Sequence, residues 1–155
     1  MNEFDQAILD WIRNYDTNRR DFYAALLPRI MFPRLRQLLS DTIAGDSEKP
    51  IPLSIPGRDR VTDEFVQRLG LRDILKKTGY GHMLGRTTIS WEEALSRAEI
   101  IEETGALFFE ALARCSPINS ADYSQTAAHY RLRLGKLLVL EDSVRYRKVK
   151  LQEDS

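Results

Sequence analysis

Apolar residues at Phe4, Ala7, Ile8, Trp11, Ile12 and Tyr15 recur at spacings of three and four, the period of an amphipathic helix. Asn2 is placed to cap this helix, with Asp5 three residues on to meet the first-turn amides. A second helix is expected from about Thr17, carrying Phe22, Tyr23, Leu26 and Leu27 toward Pro28. Proline lacks an amide donor and its ring clashes one turn back. Pro28 and Pro33 therefore break the run, and Pro33 opens a short helix to Ser40.

From residue 41 to residue 60 the periodicity stops. "GDSEKPIPLSIPGRD" holds three prolines and two glycines, which predicts an extended connecting segment. Helix resumes at Thr62, after Val61 and with acids in its first turn, and ends at Gly70. Another short helix follows from Leu71 to Lys77, before Thr78 and Gly79.

"ISWEEAL" carries the strongest start signal, with Ser90 as N-cap, Glu93 completing a capping box and Ile89 set to staple against Ala94. The helix it opens spans about residues 91–114. At 100° per residue, Trp91, Ala94, Leu95, Ala98, Ile101, Gly105, Phe108, Phe109 and Leu112 share one broad face. Gly105 lies at its centre, where a neighbouring helix can approach closely. Ile100 and Leu107 fall almost opposite, so this helix is expected to be covered on two sides and to be the centre of the fold.

Pro117 ends it, Ser120 is placed to cap the next, and Tyr123, Ala127, Tyr130 and Leu134 form a stripe up to Gly135. In "KLLVLEDSVRYRKVKL", valine, leucine and the alternation over Val144 to Arg147 predict a β-hairpin over about residues 136–151. Leu137 and Leu138 could instead extend the preceding helix. The expected fold is mainly α: one domain over residues 1–155, about five to seven helices around the long one, a C-terminal hairpin, and a disordered tail over 152–155.

Composition narrows the function. The chain has 155 residues, 43% hydrophobic and 30% charged, with zero formal net charge. That length suits one domain with its own core, and the charge balance does not mark a dedicated nucleic-acid or membrane binder. No uncharged apolar run nears the ~20 residues that span a bilayer. The opening "MNEFDQ" is acidic where a secretory signal is basic, so a cytoplasmic location is expected. Cys115 is the single cysteine and His82 and His129 are the two histidines, too few for a cysteine-rich zinc site. No metal and no cofactor are expected. Cys115 sits where a helix dipole disfavours a thiolate, and no nucleophile elbow is present, so an enzyme is the least favoured class.

Three groups of residues remain as candidate sites. "KKTGYGHMLGRTT", residues 76–88, has glycines at 79, 81 and 85, one residue off the dinucleotide fingerprint and preceded by a helix rather than a strand. Its glycines read as a joint between helices, although Lys76, Lys77, His82 and Arg86 could gather around an anion. On the long helix, Glu92, Glu99, Glu103 and Glu110 form one acidic line. Neither histidine follows a glutamate by three, as a di-iron bundle requires. Glu102 instead projects into the apolar stripe, where an unpaired carboxylate is costly. An arginine partner or a raised pKa is therefore expected.

The third group is basic. Gln125, His129 and Arg133, with Lys136, Arg145, Arg147, Lys148 and Lys150, follow the helix-then-hairpin order of a winged helix, the helix facing bases and the hairpin phosphates. The leading expectation is a helical binding or adaptor protein using the acidic helix face and the basic C-terminal stretch on a protein partner. Self-association through Ile100 and Leu107 is one form of it. Nucleic-acid binding is the alternative, and a small enzyme around His82 comes last.

Overall fold

Glu3–Leu26 form one helix, α1, in the computed structural model, which describes residues 3–44, 79–115, 119–147 and 149–151. The expected break near Thr17 is absent. Asp16 accepts an ion pair from Arg20 one turn on at 3.0 Å, and Ile12, Tyr15, Arg19, Phe22, Tyr23 and Leu26 make a continuous buried stripe. Without glycine or proline to interrupt it, that stripe carries the helix through.

Pro28 acts as expected. α1 stops before it, Leu27–Arg29 make a single 3-10 turn, and Ile30 is extended. Pro33 then occupies the first position of α2, Pro33–Ile43, which runs past Ser40 into the segment expected to be a connection. The rest of that connection, both helices expected between Thr62 and Lys77, and the tail at 152–155 lie outside the described residues.

Gly79, with φ 69°, precedes a short helix α3, Tyr80–Leu84, that the sequence did not suggest. Ser90 caps α4, Trp91–Cys115, its hydroxyl accepting from the Glu93 amide at 3.2 Å. Ile89 and Ala94 both enter the core. α5 is Ser120–Arg145, with Asn119 rather than Ser120 at the N-cap position and no side-chain cap bond from it.

The C-terminal hairpin is overturned: residues 136–145 are helical, and no strand occurs among the described residues. Gly135 lies inside α5 although glycine there costs about 1 kcal/mol relative to alanine. Arg133, Leu137, Leu140 and Val144 are all buried, at three- and four-residue steps. Burial along that face outweighs the β propensity of single valines.

α4 and α5 lie antiparallel. Gly105 meets Tyr130, Glu102 meets Arg133, and Trp91 meets Arg145, so one index rises as the other falls. α1 also runs antiparallel to α4, with Tyr15 bonded to the Ile101 carbonyl at 2.9 Å and Ile30 bridged to Ile89. Gly105 works as expected: a Cβ there would collide with the Tyr130 ring and stand 3.0 Å from Tyr15. Around it stack Tyr15, Phe108, Phe109 and Tyr130, with Tyr15–Tyr130 and Phe109–Tyr130 centroids 5.5 and 5.6 Å apart. A second apolar cluster joins Phe22, Leu26, Leu35, Leu39, Leu95, Ala98 and Leu137 from α1, α2, α4 and α5.

Candidate functional site

Between these two clusters lies Glu102, fully buried on α4. The expected arginine is there twice. Arg19 Nε donates to one carboxylate oxygen at 2.8 Å and Arg133 Nε to the other at 3.0 Å. The Tyr23 hydroxyl adds a bond of 2.9 Å. Arg19 also donates to the carbonyl of Ile43 at the end of α2 at 3.2 Å, so this one network ties four helices together. Burial pulls the Arg19 pKa down, but the Glu102 carboxylate more than offsets it and the net shift is upward. Burial pushes Tyr15, Tyr23 and Tyr130 well up. With donors on both oxygens, the Glu102 carboxylate ties α4 to α1 and α5.

That network removes Arg133 from the basic group. It is buried on the inner face of α5, its guanidinium 4.4 Å from the centre of the Tyr130 ring, and cannot face a base. The other members differ in exposure and in partners. Gln125, Lys136 and Lys150 are exposed and His129 is half-buried. Arg145 bonds Glu141 at 2.9 Å and lies 5.5 Å from the Trp91 ring. Arg147 holds a left-handed φ of 57° just past α5. Lys148 lies outside the described residues.

The acidic line is likewise not a free stripe. Glu110 accepts two bonds from Arg131, at 2.6 and 3.2 Å, which hold its pKa down. Glu99 is half-buried against α5, where burial first and the Glu141 carboxylate second push it up to about 8. Glu92 and Glu103 remain exposed, Leu107 is 41% exposed, and Ile100 is half-buried.

In the joint, Lys76 and Lys77 lie outside the described residues. His82 is exposed on α3, and Arg86 pairs with Glu93 at 2.7 Å. Arg97 bonds both the Gly79 carbonyl and Glu93 at 2.5 Å. Arg29, which the sequence did not single out, donates through Nε to the carbonyls of Met83 and Arg86 at 3.0 and 2.9 Å. These arginines are spent on backbone carbonyls and a carboxylate, so the joint is fastened from within. Among the described residues no group of three or more His, Cys, Asp or Glu could hold a metal ion, and no helix is long and apolar enough to cross a membrane.

No family model, curated protein or solved structure matches the chain. What the geometry does offer is a face. Leu132 and Val139 on α5 and Tyr146 at its C-cap are 54%, 66% and 70% exposed, and they repeat every seven residues. Ala121, Gln125, Ala128, Gly135 and Asp142 complete a fully exposed stripe, all within an arc of about 100°. The hairpin assignment hid it, because the heptad appears only when the helix is carried past Gly135.

Proposed function

We propose that this chain is a helical protein-binding module, of adaptor type, whose docking surface is the outer face of α5. The observation that carries the reading is the solvent-exposed heptad Leu132, Val139 and Tyr146. Large apolar residues at that spacing are what a helix presents to another helix, and clustered exposed apolar side chains mark interaction sites. Among the described residues nothing lies within 4 Å of a Cβ built at Gly135, which lets a partner backbone come close. Lys136 on the rim and Glu103 on α4, both exposed, supply charges that orient an encounter.

The test is site-specific photo-crosslinking in cells. A benzophenone side chain placed at Leu132 or Val139 is expected to give adducts of defined mass, and the same group at exposed Ala24 on α1 is expected to give none. Equal labelling from all three positions, or none from any, overturns the reading.

A further inference from the structure

The outer face of α5 has two sorts of position. One row is Gln125, Leu132, Val139 and Tyr146; the other, three residues out of step, is Ala121, Ala128, Gly135 and Asp142, and all eight are exposed. The first row is large and the second is mostly small. Resting on the reading of this face as a docking surface, we infer that its occupant is a second copy of the same chain, paired through α5 in antiparallel register.

In that register Leu132 lies against the partner's Gly135, Val139 against the partner's Ala128, and Tyr146 against the partner's Ala121. Each large side chain meets a small one, and two-fold symmetry repeats every contact. The ends agree too, because Asp142 then faces the partner's Gln125, an amide that can donate to its carboxylate. Parallel pairing does the opposite. It sets Asp142 against the partner's Asp142 and stacks like residues, leaving the glycine layer empty. Arg131 and Arg145 border the face with their charges already met by Glu110 and Glu141, so they add little repulsion between copies.

The area is modest. A helix from Ala121 to Tyr146 is about 38 Å long, and two such faces fall at the lower edge of specific interfaces, near ~1,200 Å² in total. The dimer therefore dissociates on dilution rather than being permanent.

Sedimentation of the full chain over a concentration series tests this. The mass is expected to rise from 17.9 kDa toward twice that value. Leu132→Glu is expected to hold it at the monomer with unchanged helical circular dichroism, whereas Leu107→Glu on α4 leaves the association intact. Register is read from cysteines in a background carrying Cys115→Ala. The double variant Ala128→Cys with Val139→Cys is expected to give a covalent dimer on oxidation, and neither single variant does. A monomer at every concentration overturns the inference, as does cross-linking by the single variants, which indicates parallel pairing. If the chain is monomeric and Leu132 still photo-labels a different protein, the second copy is excluded while the docking surface stands.

Discussion

Arg19 on α1 and Glu102 on α4, separated by 83 positions in the chain, meet through a bond of 2.8 Å in the interior of the protein. Both side chains are buried, so each depends on the other and on Arg133 across the carboxylate. Removing one member of a buried ion network leaves an uncompensated charge, which costs about 3–5 kcal/mol. Glu102→Gln is thus expected to lower the free energy of unfolding by that amount in urea titration. Replacing Arg19, Glu102 and Arg133 together by Met, Leu and Met is expected to cost far less. Equal losses in the two variants would show that packing, not charge, holds the three helices.

The two glycines inside helices should respond in opposite directions. Gly105→Ala places a methyl against Tyr130 and Tyr15, and overpacking of this kind costs about 1–3 kcal/mol. Gly135→Ala meets nothing within 4 Å among the described residues and is expected to gain roughly 0.5–1 kcal/mol from helix propensity. Thermal melting of the two variants, at a concentration where the chain is monomeric, reads both signs.

Tyr130 and Tyr23 give a matched pair of hydroxyl deletions. The Tyr130 hydroxyl is buried with no hydrogen-bond partner among the described residues, while that of Tyr23 bonds Glu102 at 2.9 Å. Tyr130→Phe removes an unsatisfied polar group and is expected to be neutral or stabilising. Tyr23→Phe loses a bond to a charged group and is expected to cost about 1.5–3 kcal/mol. Denaturant unfolding of both variants checks the contrast, and a loss of stability in Tyr130→Phe would reveal a partner for that hydroxyl.

Glu99 makes stability depend on pH in the sense opposite to an ordinary carboxylate. Its pKa is raised from 4.5 to about 8, by burial first and then by Glu141. The fold therefore favours the protonated form. That contribution is complete below about 4.5 and is lost as pH rises through about 8. Glu141 is shifted down, and its contribution is lost only on the acid side. Melting temperature is accordingly expected to fall between about pH 5 and pH 8.5, and Glu99→Gln is expected to flatten that slope. An unchanged slope in the variant would assign it to another group.

Arg147 ends α5 in a left-handed conformation, φ 57°, its amide donating to the Val144 carbonyl at 3.2 Å. A residue with a Cβ pays about 1–2 kcal/mol there. Arg147→Gly is expected to recover about 1 kcal/mol in thermal unfolding, with helix content unchanged.

The sequence by itself determined the helical class, the prolines that separate α1 from α2, the Ser90 cap, though not the Glu93 carboxylate that goes to Arg86 and Arg97 instead of returning to it, the close approach at Gly105 and the cost of leaving Glu102 without a partner. Each of those follows from a local rule: periodicity, a missing amide, a side-chain cap, an absent Cβ or the cost of a bare charge. Only the tertiary structure decided which arginines answer Glu102, because Arg19 and Arg133 come from helices whose approach no local pattern specifies. It also decided the fate of residues 136–145, where short-range alternation suggested strands and burial of Leu137, Leu140 and Val144 against α4 and α2 imposed helix. The candidate docking face depended on that same decision. Leu132 and Val139 share a surface only when the backbone between them is helical, and it is the packing on the opposite side of α5 that keeps it so.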